Sequence, residues 1–109
     1  MSTAQTGARR ERQVRDAMIK DGWVFIMRAA ASKGPADLVM AHPFHGVALV
    51  QVGSKSKTLG PMDRRRLCGA ARLCSALAVL AVVIPREPIR YWAVTDQTPS
   101  RWTEWSPAA

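Results

Sequence analysis

Three apolar segments of strand length follow one another between two helical segments, and they constrain the fold more than any other feature. The first, over 23–27, is a continuous apolar run rich in aromatic and β-branched residues, which is typical of a buried strand. The second and third, over 36–41 and 47–52, flank a turn that contains Pro43 and Gly46, and we expect them to form a hairpin. Helices that alternate with buried strands predict an α/β domain.

The complete predicted order is α-β-β-β-α-β-β, which corresponds to a mixed central sheet flanked by two helices. We expect Thr6 to be the N-cap of the first helix and Gly22 to follow its end, and Pro61 suits the first turn of the second helix. The predicted segments are a helix over 6–20, strands over 23–27, 36–41 and 47–52, a helix over 61–76, and strands over 77–84 and 89–94.

The length and charge of the chain limit its organisation and its partners. The 109 residues suffice for one domain, predicted over 6–95, with a disordered segment over 1–5 and an irregular tail over 96–109. Sixteen Lys and Arg against eight Asp and Glu give a net charge of +8, which favours nucleic acid or an anionic membrane surface as partner. Trp102 and Trp105 in the tail have three candidate contacts: the domain itself, a partner subunit or DNA. Of these we favour the domain.

Composition excludes several classes of protein. The longest apolar stretch, over 73–84, is shorter than the roughly 20 residues of a bilayer span, so we expect no membrane-spanning helix. The N-terminus becomes charged where a signal peptide needs an apolar core. Two cysteines, Cys68 and Cys74, are too few for a disulfide scaffold or a four-cysteine zinc site. We therefore expect a reduced, cytoplasmic protein with no membrane-spanning segment, and of the two partners that the charge allows we favour nucleic acid over a membrane.

Glu11 occupies an unusual place on the first predicted helix. At about 100° per residue, Met18 lies roughly 20° from Glu11, with Ala8 and Val14 about 60° to either side. A carboxylate within an apolar face needs a partner. Pairing with an arginine such as Arg15 or Arg28 is one explanation, and a metal ligand or site carboxylate is the other.

Two further polar residues interrupt apolar strands. Asp37 begins a strand that is otherwise Leu, Val and Met, although aspartate is disfavoured in strands. Gln51 shares one strand face with Val47 and Leu49 because side chains alternate with a period of two. A strand-start role for Asp37 and a hydrogen-bonded amide for Gln51 remain alternatives. If both converge with Glu11, their oxygen atoms suit Mg²⁺, and Lys55 is then a candidate to stabilise charge on a phosphate.

The segments GARRERQVRDAMIKDGW, SKGPADLVMA and VALVQVGSK resemble the core of the PD-(D/E)xK nucleases. More narrowly, they resemble the Holliday-junction resolvases of archaea and of actinobacterial phages. The resemblance implies a restriction-endonuclease-like fold and Mg²⁺-dependent hydrolysis of DNA phosphodiesters, with Mn²⁺ as the other candidate metal. It also implies a homodimer that cuts four-way junctions in recombination and repair. Within it, Glu11, Asp37 and Gln51 are the metal ligands and Ser32 is the loop serine near the cut phosphate.

One position departs from the motif of the resembled family. The family places a lysine two residues after the position of Gln51, and here that residue is Gly53. Lys55 or Lys57 then supplies the charge from a displaced position, or catalysis is impaired. Two alternatives therefore stay open: a DNA-binding module of the same fold, and another PD-(D/E)xK nuclease of repair or restriction type.

The basic residues cluster in the segments that contain Glu11, Asp37 and Gln51. A solvated helix face would carry balancing acids, and these helices offer few, so we expect contacts with DNA phosphates. The predicted DNA-binding residues are Arg9, Arg10, Arg12, Arg15, Lys33, Lys57, Arg64, Arg65 and Arg66.

Overall fold

The computed structural model describes residues 3–28 and 34–108, with side chains described from residue 7 onward. These residues form one six-stranded sheet and two α-helices. The elements are α1 (Thr3–Lys20), β1 (Val24–Arg28), β2 (Leu38–His42), β3 (Gly46–Gly53), α2 (Pro61–Leu73), β4 (Leu77–Val82), β5 (Arg90–Ala93) and β6 (Thr103–Trp105).

The strands follow chain order across the sheet, from β1 at one edge to β6 at the other. Neighbouring strands are antiparallel except β3 and β4, which are parallel and are joined through α2. A parallel pair needs such a crossover connection because both strands run in the same direction. The predicted mixed sheet and the hairpin between the second and third strands are therefore confirmed.

The two helices cover opposite faces of the sheet. Val14 and Met18 of α1 are fully buried in a cluster that includes Val50 of β3. Leu67 of α2 belongs to a second cluster, which includes Leu49 of β3. Neighbouring residues of one strand thus face different helices, as the two-residue period of a strand requires. This arrangement places both helices beside the end of β3.

Both helices end in a left-handed residue, and this shortens α2 relative to the prediction. Gly22 has φ +94°, and Trp23 N–H donates to Met18 O at 3.1 Å, which forms a Schellman cap. Ser75 takes the same role after α2 with φ +54°. The predicted extension of this helix to residue 76 is therefore wrong, because a left-handed residue stops it after Leu73.

The chain termini differ most from the prediction. Helix α1 begins at Thr3 rather than Thr6, so predicted disorder over 1–5 does not hold for Thr3–Gln5, and residues 1 and 2 lie outside the described residues. The tail predicted as irregular contains a short 3₁₀ helix, Pro99–Arg101, and strand β6. Trp105 of β6 pairs with Tyr91 of β5, which adds an edge strand to the sheet.

Tryptophan side chains hold this tail against the domain, as the favoured prediction required. Trp102 is 4 % exposed, and its indole N–H donates to Thr95 O at 3.2 Å. The Trp105 ring lies 5.6 Å from the Trp23 ring, and Trp23 Nε1 donates to Pro107 O at 2.9 Å. Among the described residues, no helix is long and apolar enough to cross a membrane.

Candidate active site

Asp37 is fixed to β3 by two hydrogen bonds. Its backbone N–H donates to Val50 O at 2.9 Å, and its Oδ2 accepts from Val52 N–H at 2.8 Å. The residue is only 5 % exposed, although it lies one position before β2 begins. The strand-start interpretation is thus correct for its backbone, while the side chain remains beside the polar end of β3.

Burial raises the pKa of Asp37 above its ordinary value of 3.8. The hydrogen bond from Val52 N–H opposes this effect, the negative charge of Glu11 adds to it, and the positive charge of Arg28 offsets part of it. When two buried carboxylates lie near one another, their mutual repulsion disfavours the state in which both are ionised. A cation bound between them would favour that state, so the electrostatics of the pair are suited to a positive ligand.

Glu11 and Asp37 are the two buried charged residues in the described part of the chain. Glu11 lies on the face of α1 that also presents Val14 to the core, as the helical period predicts. Arg28, at the end of β1, donates from Nε to Glu11 Oε1. The structure therefore selects Arg28 as the arginine partner of Glu11, while Arg15 pairs with Asp16 at 3.0 Å.

The three predicted metal ligands converge at one place. Glu11, Asp37 and Gln51 line a single cavity of about 190 Å³, together with Gly53. Asp37 and Gln51 also line a second cavity of about 180 Å³, which α2 closes on the other side. Their location at the end of β3 follows from the crossing of α1 and α2 over opposite sheet faces.

The oxygen donors of this set fit a hard divalent cation. Two carboxylates and one amide are oxygen ligands, and Mg²⁺ is commonly held by one or two carboxylates while keeping several waters. Among the described side chains, no three His, Cys, Asp or Glu groups form a complete metal cluster. A cation at this place would be held by the two carboxylates and the Gln51 amide oxygen, and it would need water molecules as its remaining ligands.

The lysines predicted to replace the motif lysine do not line either cavity. Lys55 is exposed in the loop after β3. Lys57 Nζ lies 4.4 Å from the centre of the Trp92 ring on β5, and its charge therefore points toward another part of the sheet. Gly53 itself lines the first cavity, and a side chain there has room, since its Cβ would meet Leu80 Cδ1 at 3.6 Å.

Two arginines supply positive charge where these lysines do not. Arg10 of α1 lines the cavity of Glu11 and Gly53, and Arg66 of α2 lines the second cavity. Both are among the residues predicted to contact DNA.

The remaining predicted contacts occupy several different positions. Arg12 and Arg15 border a small hollow next to Glu11, and Arg64 donates to Leu59 O at 3.1 Å. Arg65 is exposed on α2, and Arg9 borders a neighbouring groove. Ser32 and Lys33 lie outside the described residues.

The sequence interpretation missed one acidic residue at this site. Asp63, in the first turn of α2, lines the second cavity with Asp37, Gln51 and Arg66. Its spacing of three residues from Arg66 places both on one helix face. The signal available in the sequence was the crossover itself, since a helix that follows β3 directly begins near the end of β3.

Comparison with known proteins identifies the fold. No family model matches this sequence, and no curated protein matches it. Among solved structures, the chain is similar to Archaeoglobus fulgidus Hjc, a Holliday junction resolvase from an archaeal hyperthermophile. The TM-score is 0.70 at 24 % sequence identity, with 81 % of this chain and 72 % of that chain covered. The chain therefore has the restriction-endonuclease-like α/β fold of that resolvase.

Proposed function

We propose that this protein is a structure-selective endonuclease that resolves four-way DNA junctions by metal-dependent hydrolysis of phosphodiesters. The observation that supports it most is the convergence of Glu11, Asp37 and Gln51 on one cavity. A fold similar to that of an archaeal Holliday junction resolvase is the second support. Intracellular location and a role in recombination or repair, in a phage or a cell, belong to the same proposal.

In this proposal, Glu11, Asp37 and Gln51 hold Mg²⁺, with Mn²⁺ as the other candidate. When bound, the ion supplies Lewis-acid polarisation of the phosphate and lowers the pKa of a water molecule. Arg28 orients the Glu11 carboxylate through its hydrogen bond. The hydrogen bond from Val52 N–H holds one oxygen of the Asp37 carboxylate in place. Both carboxylates are thereby preorganised before any ligand arrives.

Positive charge near the scissile phosphate comes from both helices in this proposal. Arg10 and Arg66 line the two cavities and present guanidinium groups, which pair well with phosphate oxygens. Ser32 keeps its predicted role as a contact near the cut phosphate. The charge stabilisation predicted for Lys55 passes in this proposal to Arg10 and Arg66, because Lys55 lines neither cavity.

A homodimer is part of the proposal because a junction presents two symmetric strands for cutting. Twice +8 gives +16 for the pair, which suits a branched polyanion. Leu73 and Met62 on α2 are 92 % and 74 % exposed, and large exposed apolar side chains favour contact with another chain. Sedimentation of the protein with and without Leu73→Glu tests this contact, since the substitution should shift a dimer to monomer.

A catalytically impaired DNA-binding module is the second candidate function, and one observation favours it. Gly53 lines the cavity with no side chain, where the resembled family has a lysine. This candidate predicts tight junction binding with no cleavage. A third candidate, a nuclease acting on plain duplex or flap DNA, is separated by competition among junction, flap and duplex substrates.

The test of the proposal is cleavage of a synthetic four-way junction in Mg²⁺ by the protein and by Asp37→Asn. Asp96→Asn is the matched control, because Asp96 is an exposed carboxylate that lines neither of the two site cavities. We expect Asp37→Asn to lose cleavage while Asp96→Asn retains it. Equal activity of the two variants would contradict the assignment of Asp37 to the metal site.

A further inference from the structure

A groove of about 370 Å³ lies between α1 and the turn that joins β4 to β5. Its apolar floor includes Val83 and Ile89, while Arg10 and Arg86 are among the charged residues at its rim. Arg9 also borders it, and Glu87 contributes one carboxylate. Three arginines against one carboxylate give the groove a net positive charge, which favours an anionic ligand.

This groove lies beside the candidate active site. Arg10 borders both the groove and the cavity that holds Glu11. Val83 N–H donates to Gly53 O at 2.9 Å, so the strand end that forms the groove is joined to the strand end that forms the cavity. A strand of DNA that crosses the cavity would therefore continue along the groove.

Arg86 has an unusual backbone conformation for an arginine. Its φ is +68°, in the left-handed region that favours glycine or asparagine. It follows Pro85 in a turn in which Glu87 N–H donates to Ile84 O at 3.2 Å. Glycine would fit this turn with less strain, so an arginine in this strained conformation, at the rim of the groove, points to a use for its side chain.

We propose that this groove binds a second phosphodiester of the DNA strand that is cut, adjacent to the scissile one. Arg86 and Arg10 contact the phosphate oxygens, since a guanidinium can donate two parallel hydrogen bonds to a phosphate. The apolar floor at Val83 and Ile89 contacts the deoxyribose. The inference rests on the proposed function, because it takes DNA as the ligand and places it from the active-site cavity outward.

The experiment compares the protein with Arg86→Gly in binding to a four-way junction, measured by fluorescence anisotropy in EDTA at several salt concentrations. We expect binding to weaken about five- to tenfold, a size consistent with loss of one charged phosphate contact. The slope of log K against log salt should become shallower by about 0.9, the value for one phosphate contact. The melting temperature should stay equal or rise, because glycine suits the left-handed turn.

Two matched variants complete the design. Arg101→Gly removes the same charge from an exposed position in the 3₁₀ helix that follows β5, and it should leave the slope unchanged. Arg86→Lys keeps the charge in the groove without the two parallel donors, so it should restore the salt slope while recovering only part of the lost binding. This pair separates a phosphate contact at the groove from a general effect of net charge.

The outcomes are distinguishable. A protein that binds junctions but shows the same affinity and slope after Arg86→Gly would overturn the inference alone. Equal losses in Arg86→Gly and Arg101→Gly would also overturn it, since net charge would then explain the effect. A protein that does not bind junctions at all would overturn the proposed function, and the groove assignment with it.

Discussion

Replacing Gly53 with lysine tests whether the absent motif charge limits catalysis. Gly53 lines the cavity that contains Glu11, Asp37 and Gln51, so a lysine there would extend from the same strand face as Gln51. Its Cβ would meet Leu80 Cδ1 at 3.6 Å and Ala81 O at 4.0 Å, which are ordinary contact distances. The Cβ of the substituted residue therefore fits without displacing its neighbours.

The effect of Gly53→Lys on folding stability is expected to be much smaller than its effect on the cleavage rate. Glycine within a strand interior costs about 0.5–1 kcal/mol in backbone entropy, and Gly53 is the last residue of β3, so Gly53→Lys should stabilise the fold by no more than that amount. A preorganised charge near a developing negative charge is worth about 2.7–4 kcal/mol, or about 10²–10³ in rate. If the parent site lacks such a charge, the variant should gain cleavage by a factor of that order.

The assay is single-turnover cleavage of a four-way junction in Mg²⁺ by the parent, Gly53→Lys and Gly53→Met. Methionine fills the same space without a charge, so it controls for packing. A gain confined to lysine would show that the missing charge limits the parent. A parent that already cleaves rapidly, with no gain from lysine, would refute this reasoning and would assign the charge to Arg10 and Arg66.

Three further predictions concern stability. Because burial raises the pKa of Asp37, its folded state holds a proton more tightly than the unfolded chain, and stability falls as pH rises between the ordinary and the raised value. Asp37→Asn keeps the amide oxygen that accepts from Val52 N–H, so without metal it should raise the melting temperature at pH 7. This gain should shrink near pH 4, where the parent carboxyl is largely protonated. Added Mg²⁺ should stabilise the parent and not the variant. Met18→Ala should cost about 2–5 kcal/mol in denaturant unfolding, against less than about 0.5 kcal/mol for the neighbouring half-exposed Ile19→Ala. Ser75→Gly should gain about 0.5–1 kcal/mol, since Ser75 has φ +54° after α2, and a loss on thermal unfolding would contradict that conformation.

The sequence predicted the central part of the fold because its signals there are local. Segment 23–27 is a continuous apolar run, and segments 36–41 and 47–52 are apolar apart from one polar residue each. Each forms a strand with small changes in its ends. Strand β6 has three residues, and its pairing with β5 depends on Trp105 packing against Trp23, far away in the chain. Such a contact leaves no periodic signal in a short segment.

The candidate site was predictable to the extent that it rests on periodicity. The helical period placed Glu11 on the core face, and the strand period placed Gln51 among apolar side chains, which marked both as candidates. Their convergence with Asp37 depends on the end of β3, because Gln51 shares the α2 side of the sheet with Leu49 while Glu11 lies on α1. The choice of Arg28 over Arg15 as the partner of Glu11 depends on where β1 ends beside α1. Local sequence patterns contain no information on the distance between the end of β1 and Glu11 on α1.

The positions of the loop lysines and of α2 could not be predicted from the sequence, because they too depend on contacts between distant parts of the chain. The loop after β3 could direct Lys57 either toward the cavity or away from it, and the Trp92 ring holds it away. The same loop sets where α2 begins, which brings Asp63 and Arg66 to Asp37. Loop direction depends on contacts across the whole sheet.

The most direct test of the account is the rate at which the unaltered protein cuts a four-way junction, compared with a plain duplex of the same arm sequence, in Mg²⁺ and in EDTA. We expect cleavage of the junction that requires the divalent ion and exceeds cleavage of the duplex. Absence of junction cleavage with Mg²⁺ or Mn²⁺ at every pH, despite salt-sensitive binding, would contradict a metal-dependent active site at Glu11, Asp37 and Gln51.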